Sequence, residues 1–176
     1  MGRSIWIRNL ALMKNLVLLF IASLAMSCTN AQKNEFSADA LQKNLTATDG
    51  TQITFAEIIA QHAGRPVVIE VWASWCGDCV KSMPDFKKLQ ANHPEAAYVF
   101  VSMDRTDDQW KYGIAKHQLK GSHYWSADGM KGEFGKSIDL DWIPRYIILD
   151  AKGNVVLYRA IESDFEKIDQ TLNSLK

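Results

Sequence analysis

Residues 67–84 decide the fold, and they read Val-Val-Ile-Glu-Val-Trp-Ala-Ser-Trp-Cys-Gly-Asp-Cys-Val-Lys-Ser-Met-Pro. An apolar, largely β-branched run, Val67–Trp72, leads into Cys76-Gly-Asp-Cys79 and then into a helical pattern. Such a run favours a buried strand, so we predict a strand, a turn that holds both cysteines, and a helix. A Cys-x-x-Cys in this position is typical of a thiol redox site.

The spacing of the two cysteines gives each a different role. Cys76 would lie at the start of the helix, where free backbone N–H groups and the helix dipole favour a thiolate. The thiolate is the nucleophilic form of cysteine, so we expect Cys76 to attack. Cys79 lies one turn further in and is more shielded, so we expect it to resolve the mixed disulfide.

Other uses of the cysteine pair have less support. A structural zinc needs four ligands, and the sequence has no second cysteine pair. A structural disulfide over so short a loop would add little stability. The four histidines are not spaced as metal ligands: His62, His93, His117 and His123. A copper carrier would need a histidine later in the chain, and no histidine follows His123. We therefore predict a redox-active disulfide, Cys76–Cys79, with no metal and no cofactor.

The length and the net charge of the chain limit the class of protein that it can be. The chain has 176 residues, of which 47% are hydrophobic, and this is enough for one domain with its own core. Its formal net charge is zero, so we expect no nucleic-acid partner.

Residues 1–27 are predicted to be a signal peptide. The apolar run Leu16–Met26 follows Lys14, and it is shorter than the roughly 20 residues that span a bilayer. Met13 is an alternative start of the chain. Ser27-Cys28 after this run resembles a bacterial lipoprotein signal, which would place a lipid on Cys28, although Ala25 and Met26 depart from the usual box.

Cleavage near Ala31 and an uncleaved anchor stay open as alternatives to lipidation. In each case the domain leaves the cytoplasm, and we expect it on the periplasmic side of a bacterial membrane. If Cys28 carries lipid, the remaining two cysteines form the redox pair.

The rest of the chain is predicted to be a tether over residues 28–44 and one α/β domain over residues 45–176. Asp49-Gly50 is a strong hairpin signal near the start of that domain. Helical and strand patterns then alternate, which predicts a central mixed sheet with helices on both faces.

Three local predictions accompany this arrangement. Thr54 and Ser163 each begin a capping box that opens a helix. We expect residues 121–141 to be irregular, with a short helix around residues 129–135.

From about Leu45 to Lys176 the chain resembles the thioredoxin superfamily, and within it the exported TlpA/ResA-like thiol-disulfide oxidoreductases. The resemblance rests on Val71-Trp-Ala-Ser-Trp-Cys-x-x-Cys79, on Pro84 five residues later, and on Ile143-Pro144 before a strand. It implies a thioredoxin-like fold, with the Asp49-Gly50 hairpin as the N-terminal extension of this subfamily.

Glu70 interrupts the apolar central strand. A buried carboxylate is costly unless it is paired or protonated, so we expect a raised pKa beneath the cysteines. The resemblance implies that Glu70 takes the proton from Cys79 during the second exchange step. The alternative is a strand residue whose carboxylate reaches solvent or a lysine.

The resemblance also implies a substrate site beside the cysteines. Pro144 matches the family's cis-proline, and the backbone of Ile143 would pair with an extended client. A trans proline that starts a strand is the alternative. Trp75, Trp72 and Trp142 would flank the site, although Trp72 and Trp142 could equally be core aromatics.

Two residues depart from the family pattern. Asp78 stands where many relatives have proline, and an anion next to Cys76 disfavours the thiolate and makes the pair more reducing unless Lys81 offsets it. Arg145 stands where threonine is usual, and it favours either an acidic partner or a solvated strand end.

The sequence therefore predicts an extracytoplasmic thiol-disulfide oxidoreductase, acting as a reductase on protein disulfides, as a monomer, with electrons from a membrane thiol reductase. A thiol peroxidase is the first alternative, but Ser74-Trp75-Cys76 lacks the Pro-x-x-x-Thr-x-x-Cys loop of peroxiredoxins. A tethered interaction or assembly module without enzymatic activity is the second.

Overall fold

The computed structural model describes residues 34–176. The predicted signal peptide and Cys28 lie outside this range. No helix within the described range is both long and apolar enough to cross a membrane.

Seven strands and six helices are described in residues 34–176. The strands are β1 (Asn44–Ala47), β2 (Gln52–Thr54), β3 (Val67–Trp72), β4 (Ala97–Ser102), β5 (Ser122–Trp125), β6 (Arg145–Leu149) and β7 (Val155–Ala160). The helices are α1 (Ala38–Leu41), α2 (Phe55–Ala60), α3 (Gly77–Asn92), α4 (Asp107–His117), α5 (Glu133–Ser137) and α6 (Phe165–Asn173).

The strands form one mixed sheet in the order β2-β1-β5-β4-β3-β6-β7. Strands β3, β4 and β5 run parallel, whereas β6 runs antiparallel to β3. Every residue of β3 and β4 is buried, as expected for central strands that are covered on both faces. The predicted α/β architecture is confirmed.

The N-terminal hairpin is present as predicted. Strands β1 and β2 pair antiparallel, and Gly50 takes a positive φ of 88° in the turn that joins them. The N–H of Thr51 donates to the Asp49 carboxylate at 2.9 Å, which fixes the turn locally. The capping box of Thr54 and Glu57 is also confirmed at the start of α2.

The compact domain begins earlier than predicted. The predicted tether includes residues 36–44, but Phe36 is buried and its ring packs edge-on against Phe55 with centroids 4.7 Å apart. Ser37 caps α1, which buries Ala40. The prediction failed here because a single aromatic residue in a polar stretch shows no periodicity, although burying its ring stabilises the domain.

Three other predictions were wrong. Residues 122–125 form β5 between β4 and β1, where the sequence predicted irregular structure. The short helix lies at Glu133–Ser137 rather than around residues 129–135. The capping box predicted from Ser163 is absent: α6 begins at Phe165 with Asp164 as its N-cap and no side-chain cap. The Asp164 carboxylate instead accepts from the N–H of Ile161 at 2.9 Å.

Candidate active site

The site lies at one edge of the sheet, where β3 ends and β6 begins. Because these strands are antiparallel neighbours and Val71 pairs with Arg145, the end of β3 meets the segment that precedes β6. The two cysteines follow β3, and Ile143-Pro144 precedes β6. The fold therefore brings together residues that are more than 60 positions apart in the sequence.

Cys76 and Cys79 are joined by a disulfide, with Cα atoms 5.3 Å apart. Cys76 is the N-cap of α3, and its Sγ accepts from the N–H of Cys79 at 3.1 Å. A free N–H at this end of a helix stabilises a thiolate on Cys76 after reduction. Cys79 is completely buried, whereas Cys76 keeps 7% of its surface exposed, so an incoming client reaches Cys76 first.

The Ile143–Pro144 peptide bond is cis, in agreement with the resemblance. The carbonyl oxygen of Ile143 lies 3.5 Å from Cys76 Sγ. The residues that precede Cys76 and Ile143 in the sequence are both exposed tryptophans: Trp75 is 54% exposed and Trp142 is 52% exposed. The reactive sulfur is thus next to backbone that a client could reach and to apolar surface that it could cover.

Glu70 is buried in the middle of β3, with 1% of its surface exposed. Neither carboxyl oxygen has a hydrogen-bond partner among residues 34–176. Burial raises the pKa of Glu70 to about 8, and a hydrogen bond from the neighbouring Tyr146 would lower it. The alternative of a carboxylate that reaches solvent or a lysine does not agree with this burial.

Tyr146 and Ser82 also belong to this site, although no pattern in the sequence singles them out. Tyr146 on β6 pairs directly with Glu70 on β3, so both side chains project from the same face of the sheet. Its hydroxyl lies 3.2 Å from Ser82 Oγ on α3. Ser82 Oγ in turn donates to the carbonyl oxygen of Cys79 at 2.9 Å.

Asp104 is a third residue of the site that the sequence did not single out. It is completely buried, and its carboxylate accepts from the N–H of Ser74 at 3.1 Å and from Ser74 Oγ at 2.6 Å. Ser102 Oγ donates to the other oxygen at 2.8 Å. A buried carboxylate that accepts several hydrogen bonds fixes the backbone around it, and here it fixes the segment just before Trp75 and Cys76.

Arg145 corrects both interpretations offered for it. It is 2% exposed, so it is neither a solvated strand end nor available to an acidic partner. Its guanidinium pairs with Asp141, which also binds Arg159 at 2.7 Å. These ion pairs hold the segment that leads to Ile143-Pro144.

Three further residues of the sequence analysis have clear places. Trp72 is completely buried, which makes it a core aromatic rather than part of the client-binding surface. Asp78 and Lys81 are both exposed on α3, and Asp78 lies in the first turn of that helix. Within residues 34–176 no cluster of three or more His, Cys, Asp or Glu side chains could hold a metal ion.

A cavity of about 660 Å³ lies away from this site, near the starts of β4 and β5. Two of its basic residues bind backbone: Arg65 Nε donates to the carbonyl oxygen of Glu95 at 3.0 Å, and Lys87 Nζ donates to that of His117 at 2.8 Å.

Comparison with known proteins agrees with this site. The Redoxin family model matches residues 27–174. The chain is 24% identical over 149 residues to "Thiol-disulfide oxidoreductase ResA" of Bacillus thuringiensis, covering 84% of this chain and 82% of the relative. It is 23% identical over 101 residues to "Sporulation thiol-disulfide oxidoreductase A" of Bacillus subtilis, covering 56% of this chain and 61% of that protein's length.

A solved structure also matches the fold. The solution structure of a putative thiol-disulfide oxidoreductase from Bacteroides vulgatus superposes with a TM-score of 0.64 and is 27% identical, covering 79% of this chain and 89% of that one. The predicted thioredoxin-like fold is confirmed by this similarity.

Proposed function

Because the chain belongs to the Redoxin family and carries the redox-active cysteine pair of a thiol-disulfide oxidoreductase of the ResA type, we propose that it reduces protein disulfides outside the cytoplasm. One observation carries the proposal: Cys76, at the start of α3 and beside the Ile143 carbonyl, is the cysteine that a client can reach, whereas Cys79 is buried. Trp75, Ile143 and Pro144 are the proposed client-binding residues.

In the proposed reaction the reduced protein transfers two electrons to its client in two exchanges. The Cys76 thiolate first attacks a client disulfide, which forms a Cys76–client disulfide and releases one client thiolate. Cys79 then loses its proton and attacks Cys76 Sγ. This step forms the Cys76–Cys79 disulfide and releases the second client thiolate.

Glu70 is the proposed acceptor of the Cys79 proton. A carboxyl group whose pKa is about 8 can both take up and release a proton near neutral pH, whereas an ordinary carboxyl stays ionised there. The same pair can therefore return the proton when a donor reduces the disulfide.

We propose that this donor of electrons is a membrane thiol reductase and that the protein works as a monomer.

The reducing direction is proposed on account of Asp78. Its carboxylate is exposed in the first turn of α3, two residues from Cys76, where it opposes the thiolate. We expect the reduction potential of the pair to lie nearer the value of thioredoxin, about −270 mV, than that of DsbA, about −120 mV. Equilibration with glutathione or dithiothreitol buffers measures it.

A matched pair of variants isolates the contribution of Asp78. Asp78→Asn should raise the potential by roughly 10 to 20 mV, because an exposed charge acts through solvent. Asp85→Asn, which removes another exposed carboxylate from the same helix, should leave the potential unchanged. A potential above about −150 mV in the unmodified protein would argue for an oxidase instead.

We also propose that the protein is exported and that Cys28 carries a lipid. The sequence of residues 1–28 supports this proposal. A protein held by lipid on Cys28 should move from the membrane to the soluble fraction when that residue is replaced. In fractionated cells we expect Cys28→Ala to lose its membrane association, while Cys76→Ala, the matched cysteine control, keeps it. Membrane association of the Cys28→Ala protein equal to that of the wild type would exclude lipidation of Cys28.

A further inference from the structure

The cavity of about 660 Å³ lies at the end of the sheet opposite the cysteines. Its lining includes Ala97 and Ser122, the first residues of β4 and β5. Both strands run parallel to β3, and the cysteines follow the last residue of β3. Pockets that hold small molecules commonly have volumes of about 300 to 1,000 Å³. The cavity is therefore large enough for a small ligand and is separate from the redox site.

The charged side chains that line this cavity are all cations. Three of them are exposed basic residues: Arg65, Lys87 and Lys120. No Asp or Glu of residues 34–176 lines the cavity. The neighbouring carboxylate of Glu95 binds His93 at 3.1 Å and Lys176 at 3.4 Å instead. Cations that line one concave surface add their potentials, so this cavity attracts anions.

Each of these cations has N–H groups left for a ligand. The guanidinium of Arg65 uses Nε and Nη2 on the carbonyl oxygens of residues 94–96, which leaves Nη1 free to donate. Lys87 Nζ gives one of its three hydrogens to the carbonyl oxygen of His117. The ammonium of Lys120 has no hydrogen bond and no ion pair within residues 34–176. The backbone bonds hold Arg65 and Lys87 in place, and their remaining donors are available.

His62 provides a further polar atom at the same cavity. Its ring is half-buried, and its Nε2 atom is buried without a hydrogen-bond partner within residues 34–176. Burial, and to a smaller extent the charge of Arg65, lower the pKa of His62. A buried ring nitrogen without a partner is uncommon in folded proteins and calls for one, such as a bound ion or water.

We propose that this cavity binds the phosphate monoester group of a small ligand, with Arg65, Lys87 and Lys120 as its cations and His62 Nε2 as a further donor. Such a group carries a charge of about −1.5 to −2 at neutral pH and has three strong acceptor oxygens. A carboxylate has one charge and two oxygens, so it would use fewer of these donors. The remaining volume of the cavity is available to the organic part of the ligand.

The position of the cavity allows two sources of the phosphate. The carbonyl oxygen of Asn34 accepts from the N–H of Val155 at 3.2 Å. Val155 pairs with Leu149, which pairs with Val67 at the start of β3, so Asn34 lies at the end of the sheet that holds the cavity. The lipid proposed for Cys28 precedes this point in the sequence. A membrane lipid with a terminal phosphate is thus one source, and a soluble phosphate ester is the other.

The experiment is a proton NMR titration of the oxidised full chain in micelles of an uncharged detergent at constant ionic strength. One arm adds inorganic phosphate, and the other adds phosphatidic acid to the micelles. The ring signals of His62 report binding, and they are identified by their loss in His62→Gln. Unfolding in urea shows whether each variant remains folded.

A matched pair of double variants separates this site from the general charge of the surface. Lys87→Gln with Lys120→Gln should weaken phosphate binding by about tenfold, because two cations are lost from the site. Lys131→Gln with Lys136→Gln removes two other exposed lysines, neither of which lines the cavity. This control should change the affinity by less than about twofold, because solvent and salt screen distant charges.

A saturable response to inorganic phosphate that only the cavity variant weakens would support a site for soluble phosphate compounds. The same pattern with phosphatidic acid alone would support a site for a lipid phosphate. No saturable response in either arm, or equal weakening in both double variants, would overturn the proposal. The titration needs no client and no turnover, so its result is separate from any failure of the proposed reductase function.

Discussion

Cys76→Ser is expected to abolish disulfide exchange with protein clients, with a rate at least about 1000-fold below that of the wild type. Cys79 cannot replace it as the nucleophile, because Cys79 is completely buried behind the first turn of α3. A serine hydroxyl at residue 76 stays protonated at neutral pH and cannot replace a thiolate as the nucleophile. The measurement is reduction of a disulfide-bonded protein such as insulin, with dithiothreitol as the source of electrons.

Cys79→Ser is the matched variant, because it keeps the attacking sulfur and removes the resolving one. We expect one round of attack without release, so the protein should accumulate as a mixed disulfide. Retention of more than about a tenth of the wild-type rate by Cys76→Ser would show that Cys76 is not the attacking residue.

Glu70→Gln is expected to slow the second exchange by roughly 100-fold or more, and the first exchange by less than tenfold. The amide cannot take the proton that Cys79 must lose, whereas attack by Cys76 depends on the start of α3. Rapid mixing of the reduced protein with a fluorescent disulfide-bonded peptide separates formation of the mixed disulfide from release. Equal slowing of both steps would contradict the proposed role of Glu70.

The same variant has a predictable effect on stability, which serves as its control. The pKa of Glu70 is about 8 in the folded protein and 4.5 without burial, so the folded state binds more protons between these values. Wild-type stability should therefore fall as the pH rises through this window, by about 3 kcal/mol at pH 7. Glu70→Gln should lack this fall, which urea unfolding of both oxidised proteins at pH 5 and pH 8 would reveal.

The parts of the site that are continuous in sequence could be predicted. Strand β3, the two cysteines and α3 follow one another, and apolar runs and cap positions are local signals. Glu70 stood out because a charge within an apolar strand is rare without a reason. The hairpin at Asp49-Gly50 was equally readable, since its turn chemistry is confined to four residues.

The parts that depend on pairing between distant segments could not be predicted. Tyr146 lies opposite Glu70 only because β6 pairs with β3 in one register, and a shift by one residue would turn its side chain to the other face. Asp104 reaches Ser74 across 30 residues for the same reason. Arg145 looked like an exposed strand end because its burial, and the ion pair that joins its neighbour Asp141 to Arg159 on β7, arise only in the folded chain.

The measurement that tests the central claim most directly is peptide mass spectrometry of the Cys79→Ser protein isolated from cells after thiols are blocked. We predict that the peptide containing Cys76 is recovered in disulfide linkage to cysteine peptides of other proteins. Recovery of that peptide only as the blocked free thiol, from a folded and abundant protein, would contradict disulfide exchange through Cys76.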